Sequence, residues 1–412
     1  MGKNITGETL RNALLSGNNE TECNKLSREF KIQCMKLAKY YLSGVWQHLT
    51  EDNFLVTKVT GGLSNLIFKI ELPSHIKPTG KEPSCALIRI HGSSSSLTLI
   101  IDTIIFTILS ERSMGPKLFG IFSEGRLEEY IPSRCLSKID LHQECVQKNV
   151  AFLLSQIHTL CCPIKKESVL VDQIKQWLKN IELKLGKNAK WEIKTTQIDS
   201  KYSKNAPKYV TLESLKNELE YVEECLNKSN SPIVFCHNDL QEGNILLSNE
   251  YELTKEGKLK KIDNDIDESL IQPFFVIDYE YANYNYRGFD FGNHFCEWGI
   301  SYDTEDSCGY TINTDHFPTS QKMKVFLKEY LNSFYSNQNT DSNFSLTYDF
   351  KKDMKTLIDE GERFMAVSHY FWSIWSFEME THKEIEFGYV PYGIDRLCLY
   401  FEGKKELSKY LK

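Results

Sequence analysis

The stretch V-F-C-H-N-D-L-Q-E-G-N-I-L-L, from Val234 to Leu247, carries the pattern that says most about the fold. Its polar residues lie between two apolar runs, which predict buried strands on either side of a short loop. A further apolar run, F-F-V-I at 274–277, leads into Asp278 and Glu280. Because buried strands hold the residues at their ends in fixed positions, we expect these polar side chains to form one site.

The spacing within this stretch indicates a reaction type. His237, Asp239 and Asn244 fit H-x-D-x-x-x-x-N, the spacing of the catalytic loop in phosphoryl-transfer enzymes. There an acid orients the attacking hydroxyl group and accepts its proton, while hard oxygen ligands hold magnesium. We therefore predict Asp239 as the base and Asn244 and Asp278 as metal ligands. Taken singly, Asp239 could cap a turn and Asp278 could end a strand, but their order and spacing together favour catalysis.

Composition excludes several classes of partner. The 412-residue chain has 49 basic and 56 acidic residues and a net charge of -7, which argues against nucleic acid or an anionic membrane as a partner. Its twelve cysteines include no C-x-x-C pair, which is typical of reduced thiols in a cytoplasmic protein. The longest apolar run, at 97–109, is too short to cross a bilayer, so we expect no transmembrane segment.

Hydrophobic periodicity predicts an α+β fold with two lobes. Three strand patterns begin at Phe54, a helix pattern ends near Glu111, and two further strand patterns follow before helical patterns take over. We expect a small antiparallel sheet in the N-terminal lobe and a larger, mostly helical C-terminal lobe. The predicted boundaries are a partly helical leader at 1–45, a nucleotide-binding lobe at 46–130 and a catalytic lobe at 131–412.

The N-terminal lobe contains candidate phosphate contacts. A glycine pair between the first two strands suits close approach of the backbone to phosphates, although a plain hairpin turn fits the same residues. An arginine lies on the third strand where protein kinases carry a lysine, and a glutamate at the end of the next helix could pair with it. A surface ion pair is the alternative. The residues concerned are Gly61, Gly62, Ser64, Asn65, Arg89 and Glu111.

Several longer motifs together resemble one family. They are G-G-L-S-N-L-I-F-K from Gly61, C-H-N-D-L-Q-E-G-N-I-L-L from Cys236 and I-D-Y-E-Y-A-N-Y-N-Y-R-G-F-D-F-G-N-H-F-C-E-W from Ile277 to Trp298. On these residues the chain resembles the choline/ethanolamine kinase family, and more its choline kinase branch, from about Trp46 to the C-terminus. R-G-F-D at 287–290 and C-E-W at 296–298 carry the likeness to that branch.

The resemblance implies ATP-dependent phosphorylation of a small amino alcohol on a protein-kinase-like fold, with magnesium and commonly a homodimer. It adds Gln241 to the catalytic site and Glu280 to the metal site. It assigns adenine contacts to the main chain of a hinge formed by Glu128, Glu129, Tyr130 and Ile131. It also implies a choline pocket formed by Tyr281, Glu297, Tyr302, Trp372, Trp375 and Tyr389. Aromatic faces with a nearby acid suit a trimethylammonium group, which has no N–H donors.

The expected activity is conversion of choline to phosphocholine, the first step of the CDP-choline route to phosphatidylcholine. The alternatives are an ethanolamine or dual-specificity kinase, an aminoglycoside-type phosphotransferase, and a non-catalytic binding module. The tryptophans at 372 and 375 could also be ordinary core residues. Thr60, Glu129 and Cys135 depart from the family pattern and leave ATP affinity open.

Overall fold

The computed structural model divides into two compact units, Met1–Pro132 and Ser133–Lys412. The sequence analysis placed this division between residues 130 and 131. The structure describes residues 5–15, 26–59, 66–91, 96–262, 273–302, 304–336, 344–382 and 387–412.

The first unit is built on a five-stranded sheet with strand order β1-β2-β3-β5-β4. Every neighbouring pair is antiparallel. Its elements are α1 (Gly7–Leu15), α2 (Arg28–Tyr41), β1 (Leu55–Val59), β2 (Leu66–Glu71), β3 (Cys85–Ile90), α3 (Ser96–Glu111), β4 (Leu118–Phe122) and β5 (Gly125–Glu129). The prediction of a small antiparallel sheet in this part of the chain is therefore confirmed.

The leader contributes to the core of the first unit. Helix α2 begins at an N-cap in which Ser27 Oγ accepts a hydrogen bond from Phe30 N at 3.1 Å. Its buried residues Phe30, Cys34 and Leu37 follow helical spacing. The ring of Phe30 packs 4.5 Å from that of Phe68 on β2. This stripe is buried against the sheet, so the leader is part of the folded unit.

The second unit is mostly helical. Its strands are β6 (Ser133–Cys135), β7 (Lys190–Glu192), β8 (Tyr209–Thr211), β9 (Ile233–Cys236), β10 (Ile245–Ser248), β11 (Tyr251–Leu253), β12 (Leu259–Lys261), β13 (Phe274–Val276), β14 (Asn283–Tyr286), β15 (Ile300–Ser301) and β16 (Thr311–Ile312). Its helices are α4 (Lys138–Leu141), α5 (Glu144–His158), α6 (Leu170–Leu185), α7 (Leu212–Lys228), α8 (Arg287–Glu297), α9 (Ser320–Ser336), α10 (Phe350–Met379) and α11 (Tyr389–Leu407).

Two small strand assemblies and three helices position the candidate site. Strand β9 pairs with β14, and β10 lies between β6 and β13. Helix α10 packs against both α8 and α11. In the part of the chain that the structure describes, no helix combines the length and apolar character needed to cross a membrane.

The segment at 187–208 is mostly exposed but is anchored to the second unit. Its Trp191 is buried and stacks on Phe377 of α10, with the ring centroids 4.6 Å apart. The backbone N–H groups of Thr196 and Gln197 also donate to the buried carboxylate of Asp395 on α11, both at 2.8 Å. Buried side chains, Trp191 and Ile198, and the acceptor Asp395 thus hold a segment whose composition is otherwise polar.

Candidate active site

The loop at 237–244 connects β9 to β10 and brings Asp239 and Asn244 together. Asn244 Nδ2 donates to Asp239 Oδ2 at 2.9 Å and to the Asp239 carbonyl oxygen at 2.8 Å. Gln241 faces the loop itself, because its side-chain oxygen accepts from Gly243 N at 2.8 Å. Since both of these hydrogen bonds use the nitrogen of the Asn244 amide, its oxygen is the atom suited to a metal ion.

Asp278 is tied to the same loop through strand pairing. Ile277 N donates to the Asn244 carbonyl oxygen at 2.9 Å, and His237 Nε2 lies 3.0 Å from the Ile277 carbonyl oxygen. Asp278 follows with φ 62° and ψ 61°, a left-handed conformation that aspartate and asparagine tolerate better than most side chains. Two further residues on, Glu280 is exposed. A carboxylate and an amide oxygen therefore lie on adjacent strand ends, a donor set that fits Mg²⁺.

The candidate base is surrounded by negative charge. Burial raises the pKa of Asp239 well above its ordinary value, and the carboxylates of Glu297, Asp278 and Glu280 raise it further. The hydrogen bond from Asn244 acts in the opposite direction. Such an acid cluster disfavours the ionised base, and cations would relieve this repulsion. The electrostatics therefore suit a site that binds both a metal ion and a cationic substrate.

A buried carboxylate clamps the 237–244 loop from behind. Asp290 on α8 accepts from His237 N at 2.8 Å and from Asn238 N at 2.7 Å. His158 Nε2 is 3.1 Å from Asp290, and its other ring nitrogen is 2.7 Å from the Tyr330 hydroxyl group. Burial acts to raise the pKa of Asp290, but the hydrogen bonds from His158 and from the His237 backbone act in the opposite direction, and the pKa lies below its ordinary value. Both nitrogens of His158 are thus engaged in the clamp.

An aromatic wall is formed in the second unit by residues of α10, the start of α11 and the segment after β13. We use this name for Tyr281, Trp372, Trp375 and Tyr389. The ring of Trp372 is 5.4 Å from Tyr281 and 5.3 Å from Trp375, and Trp375 is 5.9 Å from Tyr389, all at steep angles. Trp375 Nε1 also donates to the Tyr281 hydroxyl group at 3.0 Å. The two tryptophans lie one helical turn apart on α10, so they share a face.

Buried acids accompany this wall. Arg396 Nη1 donates to Glu297 Oε1 at 3.3 Å, while Glu297 Oε2 has no hydrogen-bond partner among the described residues. Glu242 Oε2 also has no hydrogen-bond partner among the described residues. Burial and the negative charge of Glu297 raise the pKa of Glu242 to about 8. Tyr302 is joined to Tyr392 by a hydrogen bond of 2.8 Å between their hydroxyl groups. Buried carboxylate oxygens without partners are costly and indicate a place for a cation.

The predicted nucleotide residues of the first unit form a different pairing from the one expected. Arg89 Nε donates to Glu128 Oε1 at 3.3 Å, and Arg126 Nε donates to Glu128 Oε2 at 2.6 Å. Burial acts to raise the pKa of Glu128, but the charges of the two arginines hold it below its ordinary value. Glu111, the expected partner of Arg89, is exposed at the end of α3. The cross-strand geometry of β3 and β5 explains this, because it brings Glu128 beside Arg89.

Of the remaining residues predicted to contact the nucleotide, only those of the hinge are among the described residues. Glu129 ends β5, and Tyr130 and Ile131 follow it as half-buried residues just before the division between the units. The glycine turn and its neighbours, Thr60, Gly61, Gly62, Ser64 and Asn65, lie outside the described residues.

The sequence profile of choline/ethanolamine kinases matches residues 56–401. The chain belongs to this family. It is therefore an ATP-dependent small-molecule kinase, and its fold is protein-kinase-like, as predicted. A choline/ethanolamine kinase from Rattus norvegicus is 33% identical over 396 residues, which cover 95% of this chain and 91% of the relative.

Two further members illustrate the extent of the likeness. Choline kinase A2 from Caenorhabditis elegans is 35% identical over 407 residues, covering 94% of this chain and 89% of that protein. The crystal structure of a choline kinase from Cryptosporidium parvum matches with a TM-score of 0.67 at 23% identity, covering 91% of this chain and 96% of that one. At that identity the structural likeness speaks for the fold alone.

Sequence reasoning missed the residues that hold the site in place. Asp290 and Arg287 were noticed only as part of R-G-F-D, a suggested mark of substrate preference. In the structure Arg287 is fully buried, and its Nη2 donates to Glu360 Oε1 at 2.7 Å. That segment is therefore internal scaffold. The one available signal was the alternation of charged residues with phenylalanines in α8, because buried charges are nearly always paired.

Proposed function

We propose that this chain is a choline kinase that transfers the γ-phosphoryl group of ATP to the hydroxyl group of choline. The observation that carries the proposal is the aromatic wall together with the buried Glu297, whose Oε2 lacks a partner among the described residues. Hydrogen bonds through Arg396, Ser368 and Asn293 join Glu297 to Trp372 of the wall. A quaternary ammonium ion offers no N–H donors, so it binds best to aromatic faces with a carboxylate nearby. The relatives, a choline/ethanolamine kinase and a choline kinase, support the same substrate class.

In the proposed reaction, Asp239 orients the choline hydroxyl group and accepts its proton as the oxygen attacks the γ-phosphorus atom. The bond from that phosphorus to the β-γ bridging oxygen breaks, and ADP leaves. Asn244 and Asp278, with Glu280 nearby, would hold Mg²⁺, which supplies positive charge to the phosphate oxygens. Gln241 keeps the loop closed through its contact with Gly243.

In the first unit, we propose that Arg89 contacts the nucleotide phosphates and that Glu128 holds it in place. The main chain at 128–131 and the glycine turn complete the proposed nucleotide site. Homodimerisation and a cytoplasmic location stay predictions of the sequence analysis.

The test is ADP release from magnesium-ATP with choline, ethanolamine or an aminoglycoside as the acceptor. We expect choline-dependent release that the isosteric variant Asp239→Asn abolishes. Equal efficiency with ethanolamine would make the chain a dual kinase and remove the choline preference. Turnover of the aminoglycoside alone, or of none of the three, would overturn the proposal.

A further inference from the structure

Asn293 lies behind the aromatic wall and contacts its central tryptophan. The residue is on α8 and is fully buried. Its Oδ1 accepts from Trp372 Nε1 at 2.7 Å and from Ser368 Oγ at 2.8 Å. A buried amide oxygen that accepts two hydrogen bonds fixes both donors, because neither finds an equal partner elsewhere in an apolar interior.

The same amide faces the 237–244 loop. Because Oδ1 receives both donors, Nδ2 is turned toward the Asn238 carbonyl oxygen, which lies 3.5 Å away. Asn238 precedes the proposed base and has a left-handed φ of 67°. It is held on its other sides by Asp290 and by the Tyr281 carbonyl oxygen, which accepts from Asn238 Nδ2 at 2.8 Å. Asn293 therefore bridges the backbone next to Asp239 and the indole ring of the wall.

A second branch links Asn293 to the buried acid. Arg396 Nη2 donates to Ser368 Oγ at 2.9 Å, and Arg396 Nη1 donates to Glu297. Ser368 thus receives a hydrogen bond from Arg396 and passes one on to Asn293. Arg396 donates to Ser368 and Ser368 donates to Asn293, so the two hydrogen bonds polarise each other and each strengthens the next.

We propose that Asn293 is a positioning residue that sets how Trp372 is turned in the wall, and thereby the preference for a quaternary over a primary ammonium ion. This inference rests on the proposed function. The terminal torsion of a tryptophan has broad, nearly equivalent wells, and a cation is attracted to the face of the ring but not to its edge. The hydrogen bond from Trp372 Nε1 to Asn293 selects one orientation.

The test combines kinetics with a direct view of the indole group. Asn293→Leu keeps the approximate side-chain volume and removes the acceptor, whereas Trp372→Phe keeps an aromatic face and removes the donor. Both single variants and the double variant are assayed with choline and ethanolamine. The matched control is Asn180→Leu, because Asn180 also contacts α10, through Glu378 at 3.1 Å, outside the wall.

We expect Asn293→Leu to raise KM for choline roughly tenfold, the equivalent of one lost buried hydrogen bond, with a smaller rise for ethanolamine and little change in kcat. In the Trp372→Phe background the same substitution should add almost nothing, because the group it acts through is already gone. The control should behave as the wild type. The proposal would be overturned if the effects of Asn293→Leu and Trp372→Phe on KM were additive in the double variant, or if Asn293→Leu raised KM equally for both alcohols.

The indole N–H resonances give a readout that does not depend on turnover. The chain has six tryptophans, so the indole region of a ¹⁵N–¹H spectrum is simple, and Trp372→Phe assigns the Trp372 peak. Asn293→Leu should shift that peak while leaving the peaks of the tryptophans outside the wall in place. An unmoved peak would refute the role of Asn293 whatever the kinetics show. If the wild type turns over neither alcohol, the proposed function fails, and the peak still decides whether Asn293 holds Trp372.

Discussion

The 237–244 loop and the aromatic wall belong to the same unit, but different forces hold them. Hydrogen bonds hold the loop: Asp290 accepts two of its backbone N–H groups, and Asn244 bonds to Asp239 across it. Ring packing between α10, α11 and Tyr281 holds the wall, with few polar links. Proton transfer needs atoms placed within a few tenths of an ångström, whereas a cation tolerates small shifts over an aromatic face.

Asp239→Asn gives the sharpest contrast between chemistry and stability. Losing a general base typically costs about 10²- to 10⁴-fold in rate, so we expect kcat to fall by that order. Because burial and neighbouring acids raise the pKa of Asp239, the ionised group destabilises the fold at neutral pH, and the neutral amide should not lower the melting temperature. A melting temperature several degrees lower, measured by calorimetry, would contradict this assignment.

Asp290→Ala should mainly lower the free energy of unfolding, in contrast to Asp239→Asn, which should mainly lower the rate. The substitution leaves two buried backbone N–H groups and His158 without their acceptor, so we expect a loss of about 3–5 kcal/mol in the free energy of unfolding. Urea unfolding followed by circular dichroism measures it. Asp290→Asn is the matched control, since it keeps one oxygen and should lose less. If Asp290→Ala unfolds at the wild-type urea concentration, the loop is not held by this clamp.

The buried ring of His294, which contacts the 237–244 loop, makes the stability of the fold depend on pH. Its Nδ1 lies 2.9 Å from the Leu240 carbonyl oxygen, and its Nε2 accepts from Trp298 Nε1 at 3.2 Å, so the neutral ring satisfies both contacts. Burial lowers the pKa of His294 to about 4. Below the unfolded-state pKa of about 6.5, the unfolded chain binds a proton that the folded chain refuses, so stability falls as the pH drops from about 6.5 to about 4.

The effect of His294 can be isolated by substitution. His294→Gln should flatten the dependence of unfolding free energy on pH by up to about 1.4 kcal/mol per pH unit in that range. His75→Gln serves as the control, because His75 is exposed. Parallel curves for His294→Gln and the wild type would show that His294 does not contribute.

Trp375→Leu tests the wall and has the smallest expected effect. A cation over an aromatic face gains about 0.5–2 kcal/mol, so KM for choline should rise by about 2- to 30-fold, and less for ethanolamine, whose N–H groups can find other partners. Trp375→Phe should lie between Trp375→Leu and the wild type. An unchanged ratio of the two KM values would mean that the ring is core and does not contact substrate.

Parts of the fold could be predicted from local pattern. The five strands of the first unit follow from short apolar runs separated by turns, and α2 follows from its helical spacing, because side-chain periodicity is a local property of the chain. The H-x-D-x-x-x-x-N spacing and the apolar run before Asp278 likewise brought Asp239, Asn244 and Asp278 into one hypothesis. The antiparallel pairing of β10 with β13 places Asn244 and Asp278 at the same end of those strands.

The pairings between distant residues could not be predicted in this way. Glu111 and Glu128 are both acidic, so local pattern does not tell which of them pairs with Arg89. Only the register of β3 and β5 decides in favour of Glu128. Arg287 looked like a substrate signal but is buried against Glu360, which is 73 residues away.

By itself the sequence determined the family, the fold class and the polar residues at the ends of the strands, because these depend on spacing and periodicity. Only the tertiary structure decided what holds those residues in place: Asp290 behind the 237–244 loop, Asn293 behind Trp372 and Arg396 beside Glu297. The physical reason is that a buried polar group must find a partner wherever the packed chain brings one, and that location is set by the packing of α8, α10 and α11, not by distance along the sequence.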